Sequence, residues 1–462
     1  MAEHKETVLD IRRFRAGNRH RGRHRLVTGV PSVGQTSATS LAIVALGAIA
    51  GVIVGRALGP HGRGVYAIAT VGPTFIGVAG TLGVEEAIVY LAGRVDARRS
   101  DGHLIWGSLF IALGLGSIAT AVSIAFQFGL FWKPSLGVSE VLFTAFACQP
   151  LQYALTQVSV AHLRAQARYA AWNVLRVLVP IVYLAGLLLV MTVGTLTVNA
   201  AILCLLVGNL AVLIGSLLAV RVARRPATSR AEMGRLLSYG WKNHLITMQT
   251  YANQQLDQVF LAAMVPAAAL GQYTIAVTYA SAGLALGQAP ALQMYSHFSQ
   301  QENPDRAAYR RLVVKTLLIL GGICLASAAL APFFIPFVFG ASYAAAVPPA
   351  LILILSSPLL SLGAMLSAIW KSAGKPLTAA KGQGIGLILT VVTLPAAIIY
   401  LGIDGAAIVS IVVYGVVAVW LWRSRPFEGL AAARKAAPPA PMPAELPRSE
   451  PHRDGSAAAV TR

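Results

Sequence analysis

The feature that most restricts the fold is a long stretch without charge near the N-terminus. No residue between Val27 and Gly55 is charged. At about 1.5 Å per helical residue, this stretch is long enough to cross a hydrocarbon layer of roughly 30 Å, and it is too long for a core helix of a soluble domain. A glycine-rich turn follows, and a second apolar run begins around Tyr66. The sequence therefore predicts a membrane hairpin of two helices.

The composition extends this interpretation to the whole chain. Of its 462 residues, 56% are hydrophobic and only 12% are charged, which is about half the charge of an average soluble domain. We expect an all-α, polytopic protein of the cell inner (cytoplasmic) membrane, with its first span kept as an uncleaved anchor. Twelve spans are predicted, roughly at 34–58, 65–93, 104–132, 139–162, 170–193, 197–220, 239–265, 268–298, 312–339, 347–370, 382–401 and 405–422.

The distribution of Lys and Arg orients these spans, because cytoplasmic loops are enriched in both residues. With the N-terminus placed in the cytoplasm, eighteen cations fall in inner loops and three in outer loops. The outer ones are Arg56, Arg63 and Lys133; the inner ones are Arg94, Arg98, Arg99, Arg164, Arg168, Arg221, Arg224, Arg225, Arg230, Arg235, Lys242, Arg306, Arg310, Arg311, Lys315, Lys371, Lys375 and Lys381. This asymmetry predicts that both termini are cytoplasmic. It also accounts for the formal charge of +20 without nucleic acid as a partner.

A short motif occurs twice in the chain. Gly64–Ala69 returns as Gly271–Ala276, 207 residues later, and the basic corner Arg164–Arg168 falls on Lys371–Lys375 at the same offset. Agreement at two separate sites favours a six-span unit that is present twice in the same orientation. The predicted domains are a basic cytoplasmic arm (1–33), an N-lobe with spans 1–6 (34–220), a cytoplasmic linker (221–238), a C-lobe with spans 7–12 (239–423) and a disordered tail (424–462).

Charged residues within the spans are candidate functional residues, since a buried charge is costly in lipid. Arg176 lies in span 5, about two turns from its cytoplasmic end, and is expected to face protein or a water-filled cavity unless its side chain reaches the inner headgroups. Glu85 and Glu86 lie at a similar depth in span 2. We therefore predict that one glutamate pairs with Arg176, either as a structural ion pair or as a gating switch.

Span 7 is unusually polar, and its side chains cannot face lipid tails. Asp257 is the acid in this span, and the neighbouring amides are Asn253, Gln254, Gln255 and Gln258. We expect this stripe to line a central cleft with Lys242 and His244 at its inner mouth, or to make interhelical hydrogen bonds only. Arg56, near the outer end of span 1, is in reach of Asp257 if spans 1 and 7 face each other.

Signatures of enzyme chemistry are missing from the sequence. There is no Walker A motif and no zinc-ligand spacing, and Cys148, Cys204 and Cys324 each fall within an apolar run without a nearby histidine. We therefore expect the cysteines to be inert packing residues, and we predict no catalytic residue, cofactor or metal. An enzyme active site within the membrane is disfavoured.

Two segments resemble the polysaccharide-biosynthesis flippases, the O-antigen and exopolysaccharide translocases of the multidrug/oligosaccharidyl-lipid/polysaccharide (MOP) exporter superfamily. The first, Leu58–Arg94, opens with the family's glycine-rich corner, LGPHGRGVY. The second, Asn243–Ala280, contains a second corner and places Asp257 at the family's usual span-7 aspartate.

The resemblance implies a two-lobed bundle that moves undecaprenyl-diphosphate-linked glycans from the inner to the outer leaflet by alternating access. The implied substrate-binding residues are Arg176, Lys242, Arg56, Gln254 and Gln255, and the implied gating or ion-coupling residues are Asp257, Glu85 and Glu86. Lipid-linked oligosaccharide and membrane lipids are the expected partners, with polysaccharide polymerase or export machinery as a further candidate.

Other functions fit parts of the sequence. A cation-coupled drug exporter of the same superfamily would use carboxylates in its cavity, of which this chain has few. A membrane glycan polymerase or ligase would use a large outer loop, whereas the outer loops here are short. A scaffold that transports nothing is the fourth alternative.

Overall fold

The structure, a computed structural model, describes residues 33–92, 101–220, 230–281, 306–372 and 376–424. The helices are α1 (Val33–Gly80), α2 (Val84–Ala92), α3 (Asp101–Phe126), α4 (Glu140–Ala147), α5 (Gln149–Ala165), α6 (Tyr169–Val193), α7 (Val198–Ala219), α8 (Arg230–Met264), α9 (267–281), α10 (Arg306–Phe339), α11 (Val347–Ser372) and α12 (Pro376–Arg423). A π turn (Gln127–Phe131) follows α3, and 3₁₀ turns form at Pro134–Leu136 and Ala341–Ala346. These ranges contain no strand.

The all-α membrane fold is confirmed. Each predicted span has a helical counterpart. Helix α12 contains spans 11 and 12, and α1 contains span 1 and the first part of span 2, which continues in α2; span 4 is likewise divided, between α4 and α5. Part of span 8 lies outside the described residues, as do the basic arm up to residue 32, the linker from 221 to 229 and the tail beyond residue 424.

Seven helical stretches of the described chain are long and apolar enough to cross a membrane. They cover nine of the predicted spans, because Ala38–Leu91 and Leu377–Arg423 each hold two. The described helices outside this set are α4 with α5 and α8, which correspond to spans 4 and 7, and α9, which is the described part of span 8. Polar side chains reduce the hydropathy of spans 4 and 7, and in a membrane such side chains are placed against protein.

Glycine makes the sharp outer corner within α1. Gly59 has φ 66° and ψ 178°, a combination that only glycine adopts without strain. Pro60 follows it and suits the first position of the second helical segment, where its missing N–H has no helical acceptor. The glycine-rich stretch seen in the sequence is therefore the reversal between spans 1 and 2.

Helix packing forms two groups joined by α8. Helices α1–α7 pack mainly with one another and α10–α12 with one another, while α8 contacts both α12 and the α1–α3 set. The largest apolar cluster includes buried residues from both groups, such as Val54 of α1 and Ile354 of α11, together with Tyr273 of α9. A smaller cluster near the cytoplasmic side holds Val84 and Leu236.

The start of α8 differs from the predicted linker boundary. The helix begins at Arg230 rather than at residue 239, and Leu236 is fully buried against Val84, Ala87 and Ile88 of α2. A leucine that is buried this way contributes roughly 1.5–3 kcal/mol. The second part of the predicted linker is therefore an ordered helical segment that packs on the N-terminal half of the protein.

Candidate functional site

Arg176 lies against protein at the inner end of α6. Its guanidinium carbon is 4.7 Å from the ring centre of Trp172, one turn earlier in the same helix. Its Nη2 donates a hydrogen bond of 3.2 Å to Ser40 Oγ in α1. The side chain is half-buried, so the cation is held between α1 and α6 by a hydrogen bond and a cation–π contact.

A second arginine approaches the same indole. The guanidinium carbon of Arg164, in the last turn of α5, is 6.0 Å from the Trp172 ring centre. Its Nε is buried and has no hydrogen-bond partner among the described residues. Two guanidinium groups on one indole form a cationic cluster, hereafter the Trp172 cluster, with donor capacity left for an anion. Sequence reasoning counted Arg164 as a loop cation and missed it.

The predicted ion pair between Arg176 and a glutamate of span 2 is not formed in this structure. Glu86 Oε1 accepts a hydrogen bond of 3.2 Å from Thr247 Oγ1 in α8. Glu85 Oε1 accepts one of 3.3 Å from Thr81 Oγ1, and its buried Oε2 lacks a partner within the described part of the chain.

A break in span 2 explains this difference. The backbone leaves the helix at Leu82 and Gly83, whose φ values are 45° and 69°, and α2 starts a new helix at Val84. Both glutamates therefore lie in the first turn of α2, where exposed N–H groups favour acidic side chains. The break also turns Glu86 toward α8 and away from Arg176.

The acid of span 7 is buried within the C-terminal half of the protein. The carboxylate of Asp257 accepts hydrogen bonds from the hydroxyl of Tyr273 in α9 and from the backbone N–H of Gln258. Four residues earlier, Asn253 Nδ2 donates to the backbone oxygen of Gln383 at 3.1 Å and to its Oε1 at 3.0 Å. This face of α8 makes the interhelical hydrogen bonds that were the alternative to a place in the cleft, because a buried carboxylate and amide need partners.

Acceptor oxygens without donors line the same face of α8. Asn253 Oδ1 and Gln249 Oε1 are buried, and neither has a hydrogen-bond partner within the described ranges. Residues 249, 253 and 257 are spaced by one turn and therefore lie in one row. The described residues contain no group of three His, Cys, Asp or Glu side chains that could hold a metal ion.

The remaining predicted binding residues lie outside the Trp172 cluster and outside the row of residues 249, 253 and 257. Lys242 and Arg56 are exposed, and Gln254 is half-buried. Gln255 Oε1 accepts a hydrogen bond of 3.1 Å from Gln258 Nε2. Arg56 is exposed, whereas Asp257 is buried and its carboxylate is bound by the Tyr273 hydroxyl and the Gln258 backbone N–H, so the two residues are not paired.

Solved structures with the same architecture are transporters and flippases. A multidrug resistance MATE-family transporter of the MOP superfamily, in an inward-facing conformation, matches with a TM-score of 0.65 and 18% identity over 86% of this chain and 96% of that chain. Lipid II flippase MurJ, in an inward closed conformation, matches with a TM-score of 0.65 and 13% identity over 87% and 90%. A MOP superfamily transporter from Pyrococcus furiosus gives 0.56 and 18% over 87% and 96%. The protein therefore has the fold of the MOP superfamily.

The sequence identifies the family within this fold. Residues 53–348 match the family described as "Polysaccharide biosynthesis protein", and the chain belongs to that family. No curated protein matches its sequence. The resemblance read from the two glycine-rich corners is thus confirmed at the level of family and superfamily.

Proposed function

We propose that this protein is a flippase. It moves a lipid-linked oligosaccharide, built on undecaprenyl diphosphate, from the inner to the outer leaflet of the cytoplasmic membrane by alternating access. The observation that carries the proposal is the Trp172 cluster, in which two guanidinium groups meet at the inner end of the first lobe. Membership of a polysaccharide biosynthesis family supports a glycan as the cargo.

The Trp172 cluster suits a diphosphate for two reasons. Guanidinium groups bind phosphate oxygens through paired N–H donors, and these charge-assisted hydrogen bonds are stronger in a poorly hydrated site. Arg164 Nε has no hydrogen-bond partner among the described residues, and Arg176 is held by a neutral hydroxyl, which a phosphate oxygen can replace at low cost.

The polar residues of α8 would serve the rest of the transport cycle. Gln254 and Gln255 are the amides that we assign to the sugars, and Lys242 is an exposed cation at the inner end of α8 for the approaching headgroup. Asp257 is assigned to ion coupling or gating, since its carboxylate is buried in a row with two acceptor oxygens that have no donor in the described chain.

A cation-coupled drug exporter is the second candidate, and the same row of oxygens favours it. Such an exporter would bring an organic cation or a coupling ion to Asp257. The Trp172 cluster argues against an organic cation as cargo, because two arginines repel it.

Reconstitution separates the two candidates. Purified protein in liposomes would be given either a fluorescent lipid-linked oligosaccharide or a fluorescent organic cation, and transbilayer movement would be followed by quenching from outside. We expect movement of the lipid-linked glycan. In Arg164→Gln and Arg176→Gln, each loss of a charge-assisted hydrogen bond, about 1.5–3 kcal/mol, should weaken glycan binding roughly 10- to 100-fold.

Arg310→Gln is the matched control, since Arg310 is an exposed cation at the cytoplasmic end of α10. It should transport as the wild type does. Transport of the organic cation alone, or normal glycan transport by both variants in the Trp172 cluster, would contradict the proposal.

A further inference from the structure

Helices α1 and α9 touch through glycine at the outer end of the molecule. A Cβ added to Gly64 would lie 1.6 Å from the carbonyl oxygen of Ala267, and a Cβ added to Gly271 would lie 1.9 Å from that of Pro60. Gly64 and Gly271 are equivalent residues of the internal repeat. Backbone therefore meets backbone at the two corners, and no larger residue fits this contact at either position.

A second glycine contact lies at the cytoplasmic end. A Cβ on Gly240 of α8 would lie 2.8 Å from the carbonyl oxygen of Leu82 and 3.0 Å from that of Gly83, where span 2 is broken. The polar and aromatic contacts around it also join α8 to span 2. His244 Nε2 lies 3.1 Å from the carbonyl oxygen of Ala79, and the rings of Tyr90 and Tyr239 stack with centres 3.9 Å apart.

The atoms at these glycine contacts are largely backbone and polar groups. The hydrogen bond between Thr247 and Glu86 is exposed, so water can replace it when the inner contact opens. The carbonyl oxygens that face the glycines, those of Ala267, Pro60, Leu82 and Gly83, can likewise accept hydrogen bonds from water. Leu236, one turn before Gly240, is buried in an apolar cluster with Val84, so inner opening requires that this cluster moves with α8 or separates as well.

We infer that the Gly64–Gly271 contact is the outer gate of the cleft, and that the contact of Gly240 with the span 2 break is the inner gate. The inference rests on the proposed function only in requiring that the two lobes move. Each gate closes by direct backbone contact and excludes any Cβ. Transport then requires the two contacts to open in turn, because both are closed in this structure.

The two gates predict opposite effects of the same substitution. Alanine at Gly64 or Gly271 prevents outer closure and should shift the protein toward an outward-open state. Alanine at Gly240 prevents inner closure and should shift it toward an inward-open state. The substitution is otherwise favourable in a helix. Gly114 and Gly321 are matched controls, because a Cβ at either position meets nothing within 4 Å.

Distances between spin labels on the reconstituted protein test this without any substrate. Cysteines in a background without the three native cysteines would carry the labels at exposed positions, at Thr195 and Tyr400 for the outer ends and at Ala170 and Leu377 for the inner ends. G64A and G271A should lengthen the outer distance only, and G240A the inner distance only. G114A and G321A should change neither.

Three results would overturn the inference. The first is that the distances in G64A, G271A and G240A equal those of the wild type. The second is that G64A and G240A lengthen the same distance. The third is that these variants fail to reach the membrane as folded protein while G114A does, which would make the glycines permanent packing contacts. Failure of glycan transport in the wild type would refute the proposed function and leave these distances unaffected.

Discussion

A proline in α1 and a glutamine that compensates for it allow a quantitative test of how the spans are stabilised. Pro73 has no N–H, so the carbonyl of Ala69, four residues earlier, lacks its helical donor. Gln127, in the π turn after α3, donates from Nε2 to this oxygen at 2.9 Å. Both Ala69 and Gln127 are fully buried. The side chain of one span thus replaces a hydrogen bond that another span cannot make.

Gln127→Met keeps the length of the side chain and removes the donor. A buried carbonyl left without a donor costs about 1–3 kcal/mol. The loss is partly offset, because Gln127 Oε1 is itself buried without a partner in the described residues and disappears as well. We expect a net destabilisation of about 1–2 kcal/mol, measured as the free energy of unfolding in mixed micelles over a denaturant titration.

Pro73→Ala provides the decisive arm of the cycle. It restores the backbone N–H to Ala69, so the carbonyl no longer depends on Gln127. In this background Gln127→Met should cost little, and the coupling energy between the two positions should be about 1 kcal/mol. If Gln127→Met costs the same with and without Pro73, the two substitutions are additive, and the hydrogen bond of Gln127 does not compensate for the proline.

Two further predictions concern Tyr273 and Trp172. Tyr273→Phe should destabilise the protein by about 1.5–3 kcal/mol in thermal unfolding, because the carboxylate of Asp257 loses a donor. Tyr414→Phe should cost less, since the Tyr414 hydroxyl donates to the neutral backbone carbonyl of Asn253. Equal costs of the two substitutions would contradict this account. Trp172→Ala removes both cation–π contacts and should weaken the apparent affinity for lipid-linked glycan by about 3- to 30-fold. The affinity of Trp172→Phe should stay near that of the wild type. Identical affinities for the two variants would refute a role for the aromatic face.

The spans were predictable because lipid imposes simple rules on a sequence. A spanning helix must be long and apolar, and a reversal within a few residues favours glycine. The stretch around Gly59 satisfies the last rule, and glycine adopts its φ of 66° without strain. The repeat offset of 207 was also informative, since Gly64 and Gly271 meet at the outer contact.

The pairing of Arg176 with a glutamate could not be tested by these rules, because they do not fix the direction in which a side chain points. Depth in the membrane follows from counting residues, but direction around a helix axis does not once the helix breaks. Leu82 has a positive φ, which nothing in its residue type indicates, and this break removed the glutamates from Arg176. Arg164 was missed because its position near a corner was taken as a position in solvent.

The course of α8 links these observations to transport. The helix has 35 residues, and its first turns bury Leu236 against α2 while its later turns hold Asp257 against Tyr273. At 1.5 Å per residue, Asp257 and Gly240 are separated by roughly 25 Å of continuous helix. If Asp257 binds the coupling ion, a rotation or shift of α8 at that point is carried to the inner glycine contact by the helix itself. A loop between the two sites would absorb such a movement, and the described α8 contains none.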